Sequence, residues 1–308
     1  MDRIVPPWLG HRRGWMIVTQ TGLALALTLM AFIGPGSGAQ IFAALALGVA
    51  FLSASQDIVF DAYRTDLLKP DERGLGAATW VMGYRIAMMA SGSLALIVAA
   101  RLGWSSAYLC MAGLMALGIV TILMIPEPEA ARAAPQSMSE AVWGPLSEFL
   151  SRPMALALLG LIVLYKLGDA FAGALTTSFL LRGMAFSSED IGLVRAFGIG
   201  ATILGAFIGG GMMPQLGLFR SLMVFGVLQA LSNLSFLWLA WAGKSYAVMA
   251  FAVGFENLTG GMGTAAFVAL VMSLCNHRYT ATQFALLSSV EALGRVFLGW
   301  PAAKLVGL

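Results

Sequence analysis

The stretch Ser53-Ala-Ser-Gln-Asp-Ile-Val-Phe-Asp-Ala-Tyr-Arg-Thr-Asp66 closes a long apolar run and decides how the rest of the chain is read. Gln56, Asp57 and Asp61 fall inside, or at the edge of, a segment long enough to cross hydrocarbon. An ionised carboxylate there costs several kcal/mol unless it faces a partner or water. Reading outward from this stretch therefore means finding the other spans and the polar groups they place at the same depth.

The 308 residues are 59% hydrophobic and 11% charged, far too little charge for the surface of a soluble domain of this size. The fold class expected is all-α, a polytopic transmembrane bundle. A bilayer core needs roughly 20 apolar residues per helix. Nine runs meet that length, at 15–33, 40–62, 77–99, 105–125, 154–180, 190–212, 220–241, 246–272 and 283–304. Nothing alternates with the period of a membrane barrel, so the spans are read as helices, which satisfy their own backbone in lipid.

The formal charge of +3 reports topology before it reports a partner, and nucleic acid is not an expected one. Placing the first connector in the cytoplasm puts Arg3, Arg12, Arg13, Arg64, Lys69, Arg73, Arg132, Arg152, Arg220 and Arg278 inside. Arg101, Arg182, Lys244 and Lys304 then fall outside, and the N-terminus is inside. Residues 126–153 form a long link, rich in Pro and Ala at its start, with a surface helix expected over 139–151. It divides the chain into an N-terminal bundle of four helices over 1–125 and a C-terminal bundle of five over 154–308. Arg12-Arg-Gly-Trp15 opens the first helix much as Leu216-Gly-Leu-Phe-Arg220 opens the seventh. If these are one loop in successive repeats, each half is short of six helices and the chain reads as clipped at both ends.

Three polar clusters lie within the spans. Asp57 and Asp61 are four apart on one helical face, and two carboxylates that close do not both ionise cheaply, so one is suited to carry a proton. The plainer reading joins Asp61, Arg64 and Asp66 in an ion network at the helix end. Lys166 and Asp169, three apart, either form an intrahelical pair or line an aqueous cavity and exchange partners. Glu256 and Asn257 precede Gly260, Gly261 and Gly263, which either break the helix and free carbonyls for a ligand or let another helix approach closely. Arg85, Arg195 and Arg295 either snorkel to headgroups or pair with these carboxylates. Gly205-Ala-Phe-Ile-Gly209 reads as a packing motif. Cys110 and Cys275 offer neither a metal-ligand set nor a disulfide framework, and no phosphate-binding loop or haem pattern occurs, so neither a cofactor nor a metal is expected.

Several blocks, in order over nearly the whole length, carry a family resemblance. They are Ser53-Ala-Ser-Gln-Asp-Ile-Val-Phe-Asp-Ala62, Glu72-Arg-Gly74, Gly83-Tyr-Arg85, Tyr165-Lys-Leu-Gly-Asp-Ala-Phe171, Phe255-Glu-Asn-Leu-Thr-Gly-Gly-Met-Gly263 and Ala281-Thr-Gln-Phe-Ala-Leu-Leu287. Together they closely resemble the AmpG muropeptide permease family of the major facilitator superfamily. The resemblance implies a secondary transporter of the bacterial inner membrane that imports anhydromuropeptides from periplasm to cytoplasm with protons, for cell-wall recycling, with an influence on β-lactamase induction. Its expected partners are the muropeptide, protons and the lipid bilayer. The nine helices would be the third to the eleventh of the superfamily fold, and a chain lacking the others is expected to transport poorly or not at all.

On this reading Asp57 and Asp61, then Glu256 and Asp169 with Lys166 as its partner, are the proton-coupling candidates. Gln56, Arg85, Asn257 and Gln283 are the substrate-binding candidates, since a glycopeptide offers carboxylates, hydroxyls and amides. A carrier of another solute, and a non-functional fragment of such a permease, remain the alternatives. An intramembrane hydrolase using paired aspartates is disfavoured, because the charges spread over at least three helices.

Overall fold

In a computed structural model residues 2, 9–34, 38–128, 135 and 137–305 are described, and these are mostly helical with no strand among them. Arg3, Arg132 and the side chains of Arg295 and Lys304 lie outside the described residues. The helices are α1 (His11–Ile33), α2 (Ala39–Leu67), α3 (Arg73–Met89), α4 (Ala95–Leu102), α5 (Trp104–Met124), α6 (Met138–Leu150), α7 (Ala155–Ser178), α8 (Ser188–Leu216), α9 (Leu218–Ala242), α10 (Tyr246–Leu274) and α11 (Thr280–Leu305). Eight helical stretches among the described residues are long and apolar enough to cross a membrane. The ninth expected run falls within α11. The chain is thus a multi-pass membrane protein.

The third run is not one uniform helix. A π-helical turn, Ala90–Leu94, joins α3 to α4. Ser91, Gly92 and Ser93 occupy it, residues that hold an α-helix weakly and so admit the extra residue of a π-bulge. A second π turn, Phe179–Gly183, extends α7. The surface helix expected in the long link is α6.

The structure divides into two compact units. One contains Met1–Leu67, Ile86–Ser147 and Cys275–Ala285; the other contains Leu68–Arg85, Glu148–Leu274 and Leu286–Leu308. In the first unit, α1 and α5 cap one another. The carboxylate of Glu127, just past α5, accepts from the backbone N–H groups of Arg12 (2.7 Å) and Arg13 (3.0 Å), two donors that an α-helix start leaves unpaired. Arg13 in return donates through Nε to the Ile122 carbonyl (3.0 Å) and through Nη2 to that of Leu123 (2.9 Å) at the end of α5. Gly10 begins α1 at φ +92°, and a Cβ there would lie 2.6 Å from the Glu127 carboxyl carbon, so only glycine fits. Gly217 begins α9 with a similar backbone, φ 78° and ψ 156°, and Arg220 follows it. The two related openings thus share a cap conformation as well as a sequence echo.

Three buried charges close the same unit. Arg12 pairs with Asp2 (3.0 Å) and Asp66 (2.8 Å), and each of the three side chains is at most 6% exposed. Asp2 also accepts from the backbone N–H groups of Ala281 (3.2 Å) and Thr282 (2.9 Å), placing an anion on the N-terminal turn of α11. Asp66 receives the Thr280 hydroxyl at 2.7 Å. Asp66, expected to join Asp61 and Arg64, instead pairs with Arg12, because two residues along a helix put it on the face away from Arg64.

In the second unit α8 and α10 approach at backbone distance. A Cβ on Gly205 would lie 1.9 Å from the Leu258 carbonyl oxygen, and one on Gly261 would lie 2.1 Å from that of Thr202. The glycines of α10 therefore serve packing. The alternative of a broken helix with freed carbonyls is corrected, since α10 runs unbroken from Tyr246 to Leu274. Without a hydrophobic drive between helices in lipid, such close dispersion contact is what holds them together.

Gly205→Val should accordingly cost more than about 3 kcal/mol, above ordinary overpacking, because the obstacle is backbone. Gly211→Ala meets nothing within 4 Å and should stay within about 0.5 kcal/mol of the parent. Thermal unfolding of the purified variants in one detergent checks both; equal midpoints would refute this account of the packing.

Candidate functional site

In the first unit, α2 carries the polar stretch on which the sequence turns. Asp61 pairs with Arg64 at 2.7 Å across one helical turn, and the Arg64 guanidinium sits 5.0 Å over the Phe284 ring. The charge of Asp61 is thus neutralised on its own helix. Asp57, one turn earlier, is exposed and has no hydrogen bond or ion pair among the described residues. Of the two aspartates it is the one open to a ligand or to a proton from water.

Gln56 is held by a residue that the sequence reading missed. Its amide nitrogen donates to Gln20 Oε1 on α1, and Gln20 Nε2 donates to the Met115 carbonyl on α5 at 3.0 Å. Gln20 is buried, and a buried amide on an apolar helix must find partners or cost free energy, which is the signal that could have flagged it. Gln56 Oε1 is buried and accepts no hydrogen bond among the described residues. The pair thus keeps one buried acceptor unfilled.

Gln283 is placed differently from the ligand contact expected of it. It is 1% exposed; its Oε1 accepts from the Asn276 N–H at 2.7 Å and its Nε2 donates to the Pro145 carbonyl at 3.1 Å. In this conformation both ends of the amide hold the chain together.

In the second unit, Lys166 and Asp169 of α7 meet at 2.6 Å, as their spacing allows. Lys166 also donates to the Thr264 hydroxyl of α10 at 2.9 Å, and Gln229 of α9 donates to the other oxygen of Asp169. The pair is therefore a junction of three helices rather than an isolated turn. Tyr165 stacks on Phe267, with centroids 5.9 Å apart, and walls the junction. A Cβ on Gly263 would lie 2.9 Å from Gln229 Oε1, which ties that glycine to the amide's position. Gln229 and Thr264 were not legible as partners from sequence, because α9 and α10 each carry several polar residues and spacing within one helix does not say which of them faces α7.

Glu256 accepts from Asn257 Nδ2 at 2.8 Å, and its second oxygen receives no hydrogen bond among the described residues. Asn257 is fully used: its nitrogen also donates to the Val253 carbonyl (2.8 Å) and its oxygen accepts from Thr202 (3.0 Å), linking α10 to α8. Arg85, Lys166 and Asp169 all lie within electrostatic range of Glu256. Arg85 Nε is buried without an acceptor among the described residues. Arg195 is exposed and donates to the Thr177 hydroxyl at 2.5 Å, away from the carboxylates.

The sequence profile of the Major Facilitator Superfamily matches residues 2–299. A putative transporter, AmpG 4, of Rickettsia conorii is 32% identical over 319 residues, covering 100% of this chain and 77% of that protein. The chain belongs to the AmpG-like branch of the Major Facilitator Superfamily. The resemblance read from its motifs is thus borne out. The anhydromuropeptide permease of Escherichia coli K12 is 51% identical over 301 residues, covering 97% of this chain and 61% of that relative. The chain spans about three-fifths of the length of that permease. The crystal structure of the human organic anion transporter MFSD10 superposes with a TM-score of 0.69 at 19% identity, covering 92% of this chain and 69% of that one, and supports the facilitator fold.

Removing either member of the partly exposed Lys166–Asp169 pair leaves the other with only a neutral hydroxyl or amide for a partner, which costs about 1–3 kcal/mol, whereas removing both leaves no charge unpaired. Asp169→Leu should therefore unfold at lower temperature than the double variant Lys166→Met/Asp169→Leu. A double variant no more stable than the single one would show that the pair is not enclosed as described.

Proposed function

We propose that this protein is a carrier, not an enzyme, that imports anhydromuropeptides from periplasm to cytoplasm across the bacterial inner membrane in symport with protons, for recycling of the cell wall. The observation that carries the reading is the 51% identity, over 97% of the chain, to a protein named for that cargo. The polar groups left with spare capacity fit it. A GlcNAc-anhydromuramyl-peptide presents carboxylates, hydroxyls and amides, matching the Arg85 guanidinium and the free acceptor of Gln56.

Proton coupling requires a carboxylate that is accessible and not permanently neutralised by a cation. Asp57 meets that description in one unit and Glu256, with its unpaired oxygen, in the other. Asp61 and Asp169 are held by Arg64 and Lys166 and act in this scheme as charges that change partner during the cycle. Asn257 contributes by orienting Glu256. The bundles over 1–125 and 154–308, joined by 126–153, are proposed to alternate access to a midplane site, as facilitators do. Coupling then follows if the cargo binds one protonation state better than the other.

Right-side-out vesicles given a labelled GlcNAc-anhydromuramyl-tripeptide and an inward proton gradient test this. Gradient-driven uptake should occur, should be competed by muropeptides and not by simple sugars, and should fall about tenfold in Asp57→Asn, a coupling loss of the usual size. Exchange of cargo at equal pH should survive that substitution. Uptake competed by an unrelated sugar would reassign the substrate, and gradient-driven uptake unchanged in Asp57→Asn would remove that residue from the coupling.

A further inference from the structure

Helix α6 presents an unusual surface that the proposed transport chemistry does not use. Its outer face carries Met138, Val142 and Leu146 at four-residue spacing with Trp143 beside them, exposed by 58, 56, 36 and 65%. The roll of the helix is fixed from the opposite side. Glu140 accepts from Arg278 and, at 3.3 Å, from the Tyr279 hydroxyl. The Pro145 carbonyl accepts from Gln283, and Gly144 lies so close beneath Tyr279 that a Cβ would sit 3.0 Å from its hydroxyl. This clasp leaves the helix no freedom to turn its apolar face inward.

The clasp also sets the depth of α6. Gln283 lies in the first turn of α11, immediately before the apolar run that begins at Phe284. At the other end, only residues 151–154 separate Leu150 from Ala155, where the span of α7 begins, so the two ends are within about 17 Å even if that connection is fully extended. An apolar stripe held at the level where neighbouring helices enter hydrocarbon is continuous with their lipid-facing surface. Trp favours that boundary, and the exposed Ser139, within the stripe, and Ser147, at its edge, add hydroxyls suited to the ester zone.

We propose that α6 lies in the membrane plane with Met138, Val142, Trp143 and Leu146 seated in the cytoplasmic headgroup and acyl boundary, as an interfacial amphipathic helix. The linker is thereby tied to lipid on one side and to the α10–α11 turn on the other. This inference does not depend on the cargo.

The test uses the whole chain in lipid nanodiscs, with Cys110 and Cys275 replaced by serine and a nitroxide placed in turn at Val142, Trp143 and Leu146. Oxygen should relax these labels more effectively than a water-soluble nickel chelate, as it does at Leu231 on the exposed face of α9, and unlike Glu189 at the exposed start of α8. Independently, the fluorescence lost in Trp143→Phe should be the part of the native emission that brominated lipid quenches and iodide does not. Labels reached by nickel, with emission quenched by iodide, would overturn the proposal in favour of a water-facing surface. Labels shielded from both probes, with emission quenched by neither, would overturn it in favour of a protein partner.

Discussion

An ionised side chain placed in hydrocarbon must be neutralised or hydrated, and the organisation of this chain follows from how each such group is provided for. Arg12 sits between Asp2 and Asp66, Arg64 answers Asp61, and Lys166 answers Asp169. The Arg12 pairings join separate segments, and Lys166 and Asp169 do so through Thr264 and Gln229, where hydrophobicity alone would leave the helices indifferent to one another, since lipid is as apolar as the helices it surrounds. The buried triad is the strongest case. Residues 2, 12 and 66 come together with the first turn of α11, and the positive end of that helix completes the anion's environment.

Against that background the groups not provided for stand out. Among the described residues Asp57 has no hydrogen bond or ion pair, only the more distant charge of Arg64, Glu256 has one unused oxygen, and Gln56 and Arg85 each hold a buried atom with no partner. Unmet hydrogen-bonding capacity at membrane depth is costly, and its persistence is the physical reason to assign these residues to cargo and proton rather than to the fold. Asn257 and Gln283 make the opposite case. Their composition suits a ligand equally well, but their amides are already engaged.

Most of the architecture was legible because the period and length of apolar runs decide it. The eight spans fall where hydropathy places them, and α6 was visible as a short pattern in a polar link. The π turn at Ala90–Leu94 was not, because a one-residue expansion leaves the composition of the run unchanged. Pairing within a helix, as for Lys166 and Asp169, follows from spacing. Pairing between helices does not: Gln229 with Asp169, Gln20 with Gln56 and Thr202 with Asn257 depend on which faces meet, and spacing along one helix carries no signal about its neighbour. The glycines of α10 left two physical readings open until the unbroken helix, and a Thr202 carbonyl oxygen 2.1 Å from where a Cβ on Gly261 would lie, favoured packing.

The central claim is that Asp57 on α2, a carboxylate without an ion pair of its own, links cargo binding to proton binding. The direct measurement is the pH change when anhydromuropeptide is added to the purified, weakly buffered protein in nanodiscs, followed with an indicator dye alongside calorimetric binding. The account predicts proton exchange that saturates with the cargo and disappears in Asp57→Asn while binding persists. Cargo that binds the parent protein without moving protons, or moves them equally in Asp57→Asn, would contradict it.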